Sequence, residues 1–381
     1  MSSTNFDVAF LSQETLEAQP APIASRGAVG WLRHNLFSSP LNAVLTLLAI
    51  LLIAAVIPPI VRFVFVNAIW DGLGRDACIE DKVGHPVGAC WAFVGSRLSY
   101  FIYGQYPFAE RWRVNIYFAL EIVGVAWLLW PRIGAKAWGL VYLIVVFPLL
   151  AFWLLSGGWG LAPVDTNLWG GMLVTLVVAT VGIIFSLPAG VVLALGRRST
   201  MPVAKILSVV FIEFVRGVPL ITVLFMANVM LPLFLPEGSQ PDKLLRALVA
   251  VALFSAAYMA EVVRGGLQAI PKGQHEGAMA LGLGYPHRLA FIILPQALKM
   301  VIPGIVNSII SLFKDTTLVA AVAIFDFLKT IEASAQDAAW ATPVTLYSGY
   351  AFAAMVYWLF CFSMSRYSQW VERRLDTGHK R

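Results

Sequence analysis

Lys314, Asp315, Thr316 and Thr317 stand together at the end of a long apolar run. They offer a cation, an anion and two hydroxyls, a set able to hold both charges of a zwitterionic solute. Other ionisable residues also interrupt apolar sequence. Glu213 and Arg216 are three apart, as are Glu261 and Arg264, a spacing that lets the two members share one helix face and neutralise each other. Glu121 stands alone inside another run. Such groups are costly to desolvate, so each marks either a solute path or a structural pair. For Glu261 and Arg264 the structural reading leads. For Glu213 and Arg216 the two readings stand level. Gly217 and Pro219 break the helix there, and irregular backbone at membrane depth is tolerated where it is buried or lines a cavity. Glu121 reads as a polar contact at a subunit or lipid interface.

The elements that must position these residues are built for a bilayer. Of 381 residues, 59% are hydrophobic and 13% charged, against roughly 25% charged in a soluble domain. The runs are apolar on all sides with no period-two alternation, which gives spanning helices rather than barrel strands. The fold class is therefore an all-α integral membrane protein. Eight spans are expected, over about 40–66, 114–130, 137–155, 170–195, 203–235, 244–263, 297–313 and 345–364. Pro58 and Pro59 are expected to kink or end the first. Residues 1–39 read as a mobile polar leader and 67–113 as a polar loop.

Eight spans put both termini on one side. If that side is cytoplasmic, the inner segments hold 16 of the 27 Lys and Arg residues, and the short outer loops 157–169 and 336–344 hold none. This is the distribution that orients membrane proteins, and it accounts for the net charge of +6 without nucleic acid. Cys78 and Cys90 then face an oxidising compartment, where a disulfide is expected; two free thiols are the alternative.

In the same orientation 274–295, QHEGAMALGLGYPHRLAFIILP, faces the cytoplasm. Glu276 opens a helical pattern, Gly282 and Gly284 suit its end, and Pro286 suits the start of a second helix. The stretch reads as helix-turn-helix or as an amphipathic loop on the membrane surface. No Gly-x-x-x-x-Gly-Lys-Ser/Thr loop, nucleophile elbow or metal-ligand spacing occurs in the chain, so it does not read as an enzyme and no cofactor or metal is expected on it.

The same stretch resembles the Glu-Ala-Ala loop of ABC importer permeases through Glu276-Gly277-Ala278, Gly282, and Ile292-x-Leu294-Pro295, with Gly277 in place of the usual first Ala. Glu213 to Leu220 (EFVRGVPL), Tyr258 to Gly266 (YMAEVVRGG) with Ile270 to Gln274 (IPKGQ), and Lys314 to Leu318 (KDTTL) are similar to motifs of the polar amino acid branch. The resemblance implies a type I permease core of five helices over 170–371, preceded by the leader, by an extension over 40–169 that looks like the longer permease subunit of general L-amino acid importers, and followed by a basic tail at 372–381. It implies an inner-membrane importer of L-amino acids in which a periplasmic binding protein delivers solute. A second permease, expected to be a different chain, completes the path. Two cytoplasmic ATPase subunits bind ATP and Mg and dock on the loop. The alternatives are a secondary transporter driven by an ion gradient, which would leave the loop unexplained, and a membrane scaffold.

Overall fold

The computed structural model describes residues 27–236 and 240–375. The chain divides into two compact units, through Val66 and from Asn67 onward. The leader expected at 1–39 lies for the most part outside the described residues, as does the end of the basic tail. Within the leader, however, Gly27–Asn35 is a helix (α1). In the same unit Pro40–Val61 (α2) continues as wider turns over Arg62–Val66. Pro58 and Pro59 therefore sit inside a helix instead of ending it; neither has an amide proton to donate back along it, and the wider turns that follow absorb the misfit.

The second unit is helical too, with only isolated bridges in place of strands among the described residues. Its spanning helices are α4 (Arg111–Leu129), α5 (Lys136–Ser156, with wider turns at its centre), α6 (Met172–Arg197), α9 (Lys243–Ala269), α12 (Ile302–Asp315, extended by tighter turns to Val322) and α14 (Thr345–Leu375). The expected 203–235 span is two helices, α7 (Pro202–Gly217) and α8 (Leu220–Phe234), meeting at 106°. Val218 and Pro219 adopt extended backbone there, as the Gly-x-Pro sequence favours. Among the described residues seven helices are thus long and apolar enough to cross a membrane, and the bent pair makes eight.

Two helices lie outside the expected spans. Residues 67–113 are not a plain polar loop: Trp91–Tyr103 (α3) is a helix whose Phe93 and Phe101 are fully buried. The short apolar piece after α12 leads into Phe327–Ala335 (α13), capped by Asp326, whose carboxylate accepts from the Leu328 and Lys329 amides at 3.0 and 3.1 Å. Both are too short to span a bilayer, at 13 and 9 residues, and bury their apolar faces against protein.

The start of α6 fits against α3 and α13 through backbone. Gly171 donates to the Phe325 carbonyl at 2.9 Å, has φ +65°, and a Cβ on it would lie 2.2 Å from the Phe101 oxygen. Gly171→Ala is therefore expected to destabilise the protein by about 1–3 kcal/mol or more, since left-handed backbone alone costs that much. The measurement is the melting temperature of the purified chain in detergent; an unchanged value would contradict the packing described here.

Candidate functional site

One end of the second unit carries the 274–295 stretch. Lys272–Ala280 (α10) is followed by Gly282 at φ +76°. Gly282 donates to Met279 O at 2.9 Å and Leu283 to Ala278 O at 3.1 Å, the paired bonds of a glycine-terminated helix cap. A second helical segment runs over 285–300 (α11): Tyr285–Arg288, wider turns over Leu289–Ile293, then Leu294–Met300. Of the two sequence readings, the helix-turn-helix is the one present. Glu276 does not open the first helix. Pro271 and Lys272 do, and Glu276 projects from its second turn, exposed. Gly277 is likewise exposed, and a Cβ there would meet nothing within 4 Å, so the departure from Ala is sterically neutral. Gly284 keeps an ordinary negative φ.

This pair of helices is fastened to the spans beneath. Ala278, Ile293 and Ala297 are buried, and Ile292, Leu294 and Pro295 lie on the segment that carries Ile293 and Ala297. Ile293 and Ala297 share a core with Ala194 of α6, Ile212 of α7, and Met259, Ala260, Val263 and Leu267 of α9. Gln296 donates to Gln274 at 3.1 Å, tying α11 to α10. Outward, Leu281 is 80% exposed, with Met279 and Tyr285 also open. The result is a prong fixed on its inner face and apolar on its outer one, with Glu276 and Lys272 exposed beside it.

Beside the prong the charged pairs recombine. Glu213 does not bond to Arg216. It pairs with Arg197 of α6 at 2.7 Å, while Arg216 approaches Glu261 at 3.8 Å. Glu261 takes two donors from Arg264, one at 2.9 Å, and lies 3.8 Å from Arg197. Spacing along one helix identifies which residues can share a face, but α7 crosses the ends of α6 and α9, so the nearest opposite charges come from other helices. Arg197, given no role in the sequence reading, is a member of this cluster; the one sequence signal for it was its place at a span terminus. Arg216 also lies over the Tyr258 ring, 5.9 Å from its centre.

The Lys314–Thr317 set is divided. Thr316 is fully buried and donates to Phe313 O at 2.8 Å, so its hydroxyl faces the fold and not a solute. Asp315 is half-buried and off the cavity wall. Lys314 and Thr317 do line a cavity of about 320 Å³, with Leu328, Tyr350, Ala353, Ala354 and Tyr357. At its edge Tyr350 donates to Glu332 at 3.0 Å, and Lys329 pairs with the same carboxylate at 3.1 Å. The Lys329–Glu332 spacing was legible but lay past the apolar run that drew attention. Glu121 faces neither lipid nor a subunit interface: it is buried and accepts from Thr180 of α6. Cys78 and Cys90 are joined, with Cα atoms 5.9 Å apart.

Beneath the cavity, burial pushes the Asp326 carboxyl up to about 7 from 3.8, with the Glu332 charge adding to the rise and the Leu328 and Lys329 amides opposing it. A raised carboxylate contributes stability below its ordinary range and loses it as pH climbs through the folded value. Thermal stability should thus fall between about pH 4 and pH 7, and Asp326→Asn should flatten that slope; a slope unaltered by the substitution assigns it elsewhere. In the ion cluster, Glu261→Gln should cost on the order of 1–3 kcal/mol in unfolding assays, since it removes a charged acceptor shared by several guanidiniums. Glu213→Gln, at a half-exposed side chain, should cost about 1 kcal/mol or less. Equal losses would show that Glu261 is not the hub.

Comparison with known proteins gives this arrangement a family. Residues 186–377 match the binding-protein-dependent transport system inner membrane component. The inner membrane amino-acid ABC transporter permease protein YhdY of Escherichia coli K12 is 50% identical over 361 residues, covering 94% of this chain and 96% of that protein. The glutamate/glutamine/aspartate/asparagine transport system permease protein BztC of Rhodobacter capsulatus is 40% identical, covering 98% of this chain and all of its own length. The probable glutamine permease GlnP of Bacillus subtilis, 34% identical, matches 93% of itself to 54% of this chain. The chain is a multi-pass membrane protein that belongs to the binding-protein-dependent transport system inner membrane components, the permease subunits of ABC transporters.

Proposed function

We propose that this chain moves L-amino acids, polar or broad in range, inward across the bacterial inner membrane as one permease of an ABC importer. The observation that carries the reading is the near end-to-end, 50% match to an amino-acid ABC transporter permease. Both termini and the prong lie on the cytoplasmic side, as the Lys and Arg distribution favours. A dimer of separate ATPase subunits binds ATP and Mg and receives the prong, with Glu276 meeting a basic residue and Leu281 an apolar pocket. The rigid seating of Ile293 and Ala297 against α9 supports this role, since a docked element must pass motion to the spans as a body. Gly282 shapes the turn and takes no part in binding.

A second permease, a different chain, completes the path, and a periplasmic protein delivers the solute. Within this chain the cavity at Lys314 is the candidate solute site. Lys314 offers its ammonium to the α-carboxylate, and the Thr317 and Tyr350 oxygens, whose protons go to Lys314 O and Glu332, offer acceptors to the solute ammonium. Asp315 shapes the turn beside them. Glu213 and Arg216, each engaged in the ion cluster, transmit movement between α7 and α9 and do not bind solute.

Co-purification from membranes tests the docking. The unmutated chain should bring an ATPase with it, and Glu276→Lys should weaken that recovery and lower uptake. Uptake that needs no ATP and responds to an ion gradient would replace this reading with the secondary transporter. Lys314→Met should raise the KM for amino acid uptake about tenfold while leaving ATPase recovery unchanged, as expected for loss of one charge-assisted bond. Normal kinetics in that variant would remove Lys314 from the solute path.

A further inference from the structure

The segment from Ile69 through α3 has no part in the function described so far, yet it is among the most tightly built parts of the molecule. Ile69 donates to Ala89 O and accepts from Trp91, both at 2.8 Å, and the Cys78–Cys90 disulfide closes the same lobe. Cys78 and Cys90 are 2% and 0% exposed, so the bond is shielded from solution and acts as a staple of the lobe.

The contacts this lobe makes converge on the α13–α14 hairpin. The Cys90 amide donates to Ser348 Oγ at 2.7 Å, and that hydroxyl donates in turn to Val344 O at 2.7 Å. The Arg75 amide donates to Ala339 O at 2.9 Å, and Arg97 pairs with Asp337 at 2.6 Å. Phe93 is wedged where α13 and α14 cross. Its ring centre lies 5.9 Å from that of Trp340. At Gly349 a Cβ would stand 2.5 Å from Ile331 and 3.6 Å from Phe93. Ser348 is two residues before Tyr350 and one helical turn or so before Ala353, both of which line the cavity.

We propose that the stapled lobe and α3 form a strut that sets the position of the α13–α14 hairpin, and with it the wall of the solute cavity, with the Cys90–Ser348 bond as its principal tie. This is a positioning role for residues of the extension, and it rests on the reading of the Lys314 cavity as the solute site. Nearly half of this chain lies outside the match to GlnP, in keeping with a device added to a smaller permease core.

The test uses the complete importer in proteoliposomes. Ser348→Ala should raise the KM for uptake roughly fivefold, the worth of one buried hydrogen bond, and Cys78→Ser with Cys90→Ser, which keeps that bond but unfastens the lobe, should raise it in the same direction, each with maximal rate and ATPase recovery within about twofold of the unmutated complex. Ser348→Thr, which keeps the hydroxyl, should restore KM. Hydrogen exchange of the 336–350 peptide should quicken in the first two variants. An unchanged KM in both, with the complex intact and Lys314→Met still impaired, overturns the strut. An unchanged KM in Lys314→Met as well, with exchange quickened, locates the failure in the cavity reading instead. Should Ser348→Ala fail to assemble, the cysteine pair and Arg97→Ala decide by the same measurements.

Discussion

The close approach of α6 and α9 is the constraint on which the rest hangs. Between helices in hydrocarbon there is little hydrophobic gain from contact, so cohesion comes from backbones packed closely over small residues. Here α9 presents Ala256, Ala257 and Ala260, all fully buried, and α6 presents Gly182 and Gly190. A Cβ at Gly190 would come within 2.8 Å of Met259. That seam leaves no room for a side chain to slip, and it carries a different apparatus at each end. Where α6 begins, Gly171 and Thr175 meet Phe325, Phe327 and Thr330, which brings α13 to the cavity edge. Where α6 ends, Arg197 enters the ion cluster beside the prong. The two candidate sites are opposite ends of one rigid pair.

The ion cluster answers an electrostatic problem raised by that geometry. Guanidiniums from α6, α7 and α9 converge, and their mutual repulsion would be strong in a medium of low dielectric. Glu261 relieves it by meeting Arg264 directly and Arg197 and Arg216 at longer range, while Glu213 supplies a second counter-charge. Such a network resists shear between helices more than any single pair, because displacing α7 disturbs contacts to both of its neighbours. The prong, packed on the same end of α9, is thereby joined to all three helices.

Much of this was legible in the sequence, and what was not has definite physical causes. Long apolar runs located the spans, because desolvation of backbone admits few alternatives to helix, but not all of their ends: α14 runs on to Leu375 and α12 to Val322. Gly282 was readable as a turn, since a helix ending there demands positive φ. The pairing of Glu213 with Arg216 was misread because side-chain partners across helices depend on crossing geometry, which spacing does not encode. The inward Thr316 hydroxyl was missed for a related reason: the tighter turns after Asp315 rotate it toward Phe313. The helix at Trp91–Tyr103 escaped notice because its 13 residues are too few to cross a bilayer, and its apolar face is buried against α13 and α14 instead. Glu121 was assigned to an outer interface although its partner, Thr180, lies on another span of the same chain.

The bond from the Cys90 amide to Ser348 joins residues 258 apart in sequence. A growing chain exposes the stapled lobe long before it has made the helix that receives it. Until α14 is synthesised and inserted, the Cys90 amide has no such acceptor and Phe93 no Trp340 to lie against. The lobe must wait, with an apolar face uncovered, through the insertion of the spans between. Closure of this face is therefore a late event in biogenesis, and α14 works as the latch that completes the first part of the unit to be built.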